Sequence, residues 1–458
     1  MWRSKSGLSL SAEGETREAR QLVEEFVSGI LGHPLDVEGV LSAGERAMIF
    51  RQLSRAEELA KVRRPGERIV WKVEDLEAGG LERLPVPHLD QFIMKLRPRL
   101  PVVPAPPRTA WPDNRPFAVC LSHDMDQVAS FSLRASWRQL RRMRRNGMGL
   151  REQSRHGWKT ARRAVDHWGQ RRLGRQPDRY GNVGEWLKLE ADCGFKSSLF
   201  FFAETVHPWH PYDCNYGFND RVHFEGHTST VGAMMLEIAA RGWDVGVHGS
   251  IASATEPGVL ARQKEEVAAR IGRPVFTTRQ HYLQYDPART PRIQAEAGLL
   301  ADGTQGFNDT IGFRAGTSFP YRLWDWSRGC LLPLWQVALH IQDGPLLRAG
   351  PTVDQAVSSA IALLERVQEV GGCLGLLFHP AHLSTERGFT VYRELLQESR
   401  RRGAWGCSLK EAALWWQSRT RNILQGSADG ARESSRSVPD GACPTAQGCK
   451  EPGALKEP

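Results

Sequence analysis

No Cys-x-x-Cys pair occurs in this chain, and its eight cysteines follow no spaced framework. That removes paired-thiol chemistry and a disulfide-built secreted scaffold from consideration. Three of them, Cys120, Cys330 and Cys373, lie inside apolar strand-like runs, which suits a reducing compartment, and Cys443 and Cys449 are too isolated to form a zinc site. A run of the roughly 18 apolar residues that a membrane span needs is absent. Met1-Trp-Arg-Ser-Lys is followed by no apolar segment of the secretory kind. Glycine-rich phosphate loops, the dinucleotide fingerprint and the Gly-x-Ser-x-Gly elbow are all missing; Gly181-Asn-Val-Gly184 and Gly372-Cys-Leu-Gly375 lack the strand-then-helix context those motifs require. The expectation is a cytoplasmic protein, peripheral to the membrane if a surface segment meets lipid.

What is present starts with Phe117-Ala-Val-Cys-Leu-Ser-His-Asp-Met-Asp126, a buried-strand run that stops on two acids spaced i, i+2. Side chains at parallel-strand ends face the loops where ligands sit, and the pleat turns Asp124 and Asp126 the same way. Such a pair divides labour, one carboxylate holding a cation and the other taking a proton. A single strand-end Asp also serves as a helix cap. The pattern recurs downstream, however. Ser197–Thr205 runs into a His- and Asp-rich loop, Trp243–Ser250 presents His248, Thr277–Leu283 presents Arg279, His281 and Tyr282, and Leu374–Pro380 presents His379 with His382 beyond. Helix-length amphipathic stretches lie between them, at Val183–Cys193, Pro257–Ile271 and Thr352–Val370. This β-then-α alternation predicts an α/β fold with a parallel sheet or barrel.

With these motifs in order, the stretch from Pro116 to Trp416 resembles the polysaccharide deacetylase family, the NodB-homology carbohydrate esterases, in the branch whose first motif reads His-Asp-x-Asp. Ser122-His-Asp-Met-Asp126 is similar to that motif, His248-Gly-Ser250 to the first half of the metal-binding His motif, Arg279-Gln-His-Tyr282 to the Arg-x-x-aromatic motif, and Leu376-Leu-Phe-His379 to the closing Leu-x-x-His. Phe313-Arg-Ala-Gly-Thr-Ser-Phe-Pro-Tyr321 is similar to a glycine-turn segment of that branch. The resemblance implies an irregular (β/α) barrel and a divalent metal, zinc first, on Asp126, His248 and a third ligand. It further implies Asp124 as base, His379 as acid, Arg279 beside Asp124, and Tyr282, Arg314 and Tyr321 on the substrate side. Where the family's second histidine would fall stands Ala252, so the third ligand must come from elsewhere. His281 is the candidate, with the loop residues His207, His210, His223 and His227 as alternatives.

On this reading the metal polarises an amide carbonyl and acidifies its water, Asp124 removes the proton, and His379 protonates the leaving amine. The expected substrate is an N-acetylated sugar or glycan precursor. A metal-free carbohydrate-binding relative and a hydrolase of another non-peptide C–N bond are the alternatives.

Residues 1–100 read as a smaller N-terminal α/β module, with Glu15–Leu31 helical and Glu67–Lys72 strand-like; 101–115 is a proline-rich linker, 116–420 the catalytic barrel and 421–458 a disordered tail. The formal charge of +9 is unevenly spread: residues 131–180 hold 14 Arg and one Lys against three acids, with Trp137, Trp158 and Trp168 interleaved. This basic insert suits an anionic membrane surface or an acidic glycan, and its place beside the first motif argues against nucleic acid.

Overall fold

A computed structural model describes residues 15–60, 71–72, 83–100, 110–129, 132–172, 179–205 and 207–435. β1 (Ala118–Asp124) is buried at all seven positions, the pattern of a strand covered on both faces. β2 (Ser198–Phe201) follows the helix Val183–Cys193, and β3 (Arg221–Phe224) and β4 (His227–Thr230) form a separate antiparallel hairpin. β5 (Asp244–Gly249), β6 (Thr277–Gln280), β7 (Ala301–Asp302), β8 (Tyr321–Asp325), β9 (Cys330–Gln336), β10 (Ile341–Gln342), β11 (Cys373–Leu377) and β12 (Trp405–Cys407) complete the set.

The ten-stranded main sheet runs β10-β11-β1-β2-β5-β6-β7-β9-β8, with β12 added on β1. All its pairings are parallel except β8 with β9. β12 pairs Ala118–Cys120 and β2 pairs Ser122–Asp124, so two short strands share the edge of β1 that faces away from β11. Crossover helices end as local chemistry dictates. Val353–Val370 opens on a reciprocal Thr352–Gln355 capping box and closes on Gly371, whose φ of 70° turns the chain into β11.

The sheet is curled. Arg279 on β6 donates from Nη2 to Ser122 Oγ on β1 at 2.7 Å although β2 and β5 lie between them. On a flat sheet those strands would stand about 14 Å apart, beyond the reach of one side chain. The expected α/β architecture therefore takes the form of a sheet bent around a polar interior, open between β10 and β8 among the described residues.

The N-terminal helices Arg17–Leu31, Ala43–Leu53 and His88–Met94 share one hydrophobic core with the sheet, Phe26 meeting Tyr321 edge-on and Phe50 meeting Trp324. Among the described residues this region is helical. Most of the strand expected at Glu67–Lys72 lies outside the described residues, as do 101–109 of the linker. At the other end the helix Leu409–Ser435 runs well past the expected boundary at 420, and 436–458 lie outside the description.

Buried polar bonds tie these helices down. Asp90 accepts from the Ser318 backbone N–H and hydroxyl at 2.7 and 2.6 Å, and Arg314 donates to both oxygens of Glu58 at 2.8 and 2.7 Å. Arg55 donates to the same carboxylate at 2.7 Å. Burial alone would raise the Glu58 pKa, but the two guanidinium groups outweigh it and bring it to about 2. Glu58→Gln leaves two buried guanidinium groups without their counter-charge, and urea unfolding at neutral pH should show a loss of about 3–5 kcal/mol. Because this carboxyl is depressed from 4.5, its stabilisation is present above pH 4.5 and is lost as the pH falls through about 2. A parent-to-variant gap that stays constant across that window contradicts the assignment.

Candidate active site and metal centre

The C-terminal ends of β1, β5, β6 and β11 deliver their polar residues to one place. Asp124 closes β1, 3% exposed, and Asp126 follows two residues on with its side chain 32% exposed. His248 on β5 is fully buried, and His281 follows β6. His248 Nε2 lies 3.0 Å from Asp126 Oδ1, and His281 Nδ1 lies 3.4 Å from the same oxygen.

Hydrogen bonds to backbone carbonyls set both tautomers. A carbonyl oxygen only accepts, so His248 Nδ1 donates to Arg279 O at 2.9 Å and His281 Nε2 donates to Tyr212 O at 2.8 Å. The remaining nitrogens face each other at 2.9 Å beside Asp126. Two imidazole lone pairs that close repel unless a cation joins them, a proton or a metal ion. Burial lowers the His281 pKa, but the Asp126 carboxylate outweighs it and the net shift is upward. Burial likewise opposes ionisation of Asp126, and His281 and His248 together hold its carboxyl well below the ordinary carboxylate range. The three ligand atoms lie within 4.8 Å of one another, and two imidazoles with one carboxylate form a donor set that a divalent ion such as zinc accepts. These residues fit a metal.

A histidine–carboxylate pair stands beside this cluster. His379, after β11, points Nε2 at Asp124 and Asp126, 3.9 and 3.8 Å away, while its Nδ1 donates to buried Asp343 at 2.8 Å. Burial alone would depress this imidazole; Asp343 first, then Asp126 and Asp124, reverse that and raise it to about 10. Arg279 Nε lies 3.6 Å from Asp124 Oδ1, and Gly303 leaves it room, since a Cβ there would sit 2.8 Å from Nη2. Asp124 Oδ1 is buried on the Arg279 side, and Oδ2 is the oxygen turned toward His248 and His379, each 3.9 Å away.

A cavity of about 350 Å³ opens onto Asp124, Asp126 and His379, with Tyr282, Asn308 and Arg348 on its walls. Tyr282 and Leu283 both hold positive φ, 56° and 53°. Left-handed backbone at two such residues costs on the order of 1–3 kcal/mol each and turns the chain sharply after His281. Asn308 Nδ2 donates to Tyr282 O at 3.1 Å and holds that turn.

The structure brings together Asp124, Asp126, His248, Arg279, His281, Tyr282 and His379. It keeps Arg314 and Tyr321 apart from them, a correction to their expected place on the substrate side. Arg314 is spent on Glu58 and on Gly306 O and lies over the Trp71 ring, while the Tyr321 hydroxyl donates to Gln305 Oε1 at 2.5 Å in the core. Both are buried, and neither lines the cavity beside Asp124 and His379. The alternative ligands His207, His210, His223 and His227 do not join the metal cluster formed by described residues.

Sequence reasoning pointed to the loop after Thr205 but missed Asp343, Tyr212 and Cys214, whose thiol lies 3.7 Å from Asp126 Oδ1. Asp343 ends the alternating stretch Leu339-His-Ile-Gln-Asp343, which is too short and too polar to stand out as a buried strand.

No family model and no curated protein matches the chain. Solved structures with a similar course include a protein assigned as a polysaccharide deacetylase from Mycobacterium smegmatis, 17% identical, TM-score 0.44, covering 70% of this chain and 95% of that one. The allantoinase PuuE is 12% identical, TM-score 0.40, covering 69% and 95%. A protein assigned as a polysaccharide deacetylase from Pseudomonas aeruginosa PAO1 is 12% identical, TM-score 0.40, covering 69% and 96%. Likenesses this distant carry no weight for the chemistry, which rests on the residues above. No helix among the described residues is long and apolar enough to cross a membrane.

Asp343→Asn removes the charge that raises His379. In chelator-treated protein, an NMR titration should show His379 moving from about 10 back toward 6.5. The pair's stabilisation, fully present below pH 6.5 and lost as the pH rises through about 10, should vanish with it. An unmoved His379 titration would assign its protonation to another group.

Proposed function

We propose that the chain is a metal-dependent hydrolase that removes an N-acetyl group from a sugar or glycan precursor. The observation that carries this reading is the placement of Asp126, His248 and His281 around one point, with Asp124 and the His379–Asp343 pair beside it. Asp126, His248 and His281 would hold the ion. A bound divalent ion supplies Lewis acidity toward the acyl oxygen and toward water.

The chain's own groups divide the proton work. Asp124, flanked by Arg279, takes the proton from water as its oxygen bonds to the acyl carbon. His379 enters the reaction protonated, because Asp343 keeps it charged through the neutral range, and gives that proton to the nitrogen as the C–N bond breaks. Free amine and acetate leave. The cavity walls, with Tyr282, Asn308 and Arg348, offer ring stacking and hydrogen bonds suited to a hydroxyl-rich ring, and the volume fits a small glycan unit.

Elemental analysis of purified protein should find close to one equivalent of a divalent metal, lost in Asp126→Ala, His248→Ala and His281→Ala. Asp124→Asn and His379→Ala should keep the metal yet lower turnover on an N-acetylated sugar by about 10²–10⁴-fold. Absence of metal after reconstitution would leave a carbohydrate-binding protein as the better reading. Full metal occupancy with turnover confined to cyclic amides would move the substrate class to another C–N bond.

A further inference from the structure

The basic insert forms two helices, Leu133–Arg145 and Leu150–Arg172, and they are held very differently. The first is bolted to the chain between β2 and β3. Arg138 grips Asp220 at 2.9 and 3.1 Å and the Asn215 carbonyl at 3.0 Å; Arg142 reaches the Glu204 carbonyl at 3.0 Å, and Met143 is buried. The second packs against the first and otherwise stands in solvent along most of its described residues.

That second helix is amphipathic with its apolar side outward. At 100° per residue, Leu150, Ser154, Trp158, Ala161 and Val165 fall within one stripe about 80° wide. All five are exposed, Leu150 at 81%, Trp158 at 75% and Val165 at 71%. Arg151, Arg155, Lys159 and Arg162 form a basic band directly beside the stripe, along one of its edges. Across residues 133–172 twelve arginines and one lysine stand against two acids, a net charge of +11. An apolar stripe of that length left exposed is uncommon on a soluble surface.

We propose that the helix Leu150–Arg172 is an interfacial anchor that lies on an anionic lipid bilayer. Its apolar stripe enters the headgroup boundary while the arginines beside it meet lipid phosphates and carboxylates. Charge and apolarity together select this occupant. A nucleic acid or an acidic polysaccharide would engage the arginines and leave Leu150, Trp158 and Val165 in water. A second copy of the chain would bring two +11 surfaces together. Lipid satisfies both faces at once. Because the first helix is braced on the segment from Glu204 to Asp220, which also supplies Tyr212 to His281 and Cys214 to Asp126, docking would hold the candidate site at the membrane surface. The inference does not depend on the proposed hydrolase activity.

The test is co-sedimentation of the full chain with vesicles of phosphatidylcholine alone and of phosphatidylcholine mixed with phosphatidylserine, at low and high salt, with heparin and duplex DNA as soluble polyanions. Partitioning to the phosphatidylserine vesicles should exceed that to neutral ones by at least about tenfold at low salt and weaken as salt rises. Arg151→Gln with Arg155→Gln and Arg162→Gln should lower it by on the order of a hundredfold. Trp158→Ser with Val165→Ser, which leaves the charge untouched, should lower it by about tenfold or more, with thermal unfolding unchanged because both side chains are exposed. Equal partitioning to the two vesicle types, or binding indifferent to the Trp158 and Val165 changes, would overturn the proposal. Binding to heparin or DNA that exceeds vesicle binding and ignores those two changes would replace lipid with a soluble polyanion.

Discussion

A guanidinium buried inside a curled sheet sets the geometry of everything around it. Burying a charge of this kind is expensive unless partners surround it, and Arg279 has Ser122 Oγ, the Asp124 carboxylate and the Phe200 ring within reach. Its side chain fixes how far β6 stands from β1, and its backbone carbonyl fixes the tautomer of His248 on β5, its neighbour in register. One residue thus spans the curl that brings strand ends together and, through its carbonyl, sets the nitrogen that His248 turns toward Asp126.

Around that arginine the charges are poised rather than neutralised. Three carboxylates, Asp124, Asp126 and Asp343, meet one guanidinium and three imidazoles in a small volume, and Asp343 makes the closest contact with His379, which it shares at longer range with Asp124 and Asp126. Asp343 keeps His379 charged, whereas Asp126 has two imidazoles turned on it from one side. The cluster is polarised across its width, with proton-donating capacity at the β11 end and lone pairs at the β5 and β6 end. Such asymmetry is what separates one acid–base role from another in groups that would otherwise titrate together.

Much of this was readable in the chain because buried parallel strands announce themselves as apolar runs, and whatever ends them lands on the ligand face. Ala118–Asp124, Asp244–Gly249 and Cys373–Leu377 carried that mark, which pointed to Asp124, His248 and His379; Thr277–Gln280 is polar, and Arg279 was named from the motif it resembles. Asp343 escaped because β10 is two residues long, too short for a periodicity to show. Tyr212 contributes a carbonyl, which every residue owns and no motif records. Arg314 and Tyr321 were misplaced for the converse reason: a motif says which residues are present and not which way they face, and the partner that claims Arg314, Glu58, lies far away in sequence in a region with no chemical signature. The helix continuing through Ser435 was hidden by a Gly-, Ser- and Ala-rich composition that reads as tail.

The shared edge of β1 has a bearing on how the molecule is made. β1 is made well before β11, residues 373–377, and β12, residues 405–407, so the strand carrying the first acid waits through the synthesis of the intervening chain for two of the neighbours that pair with it. Contacts so remote in sequence make for slow closure, because the loop entropy must be met before pairing rewards it. An apolar strand held open that long is a natural client for chaperones. The first half of β1 depends in this way on β12, so a ribosome that stalls before Cys407 releases a product whose β1 lacks its pairing at Ala118–Cys120.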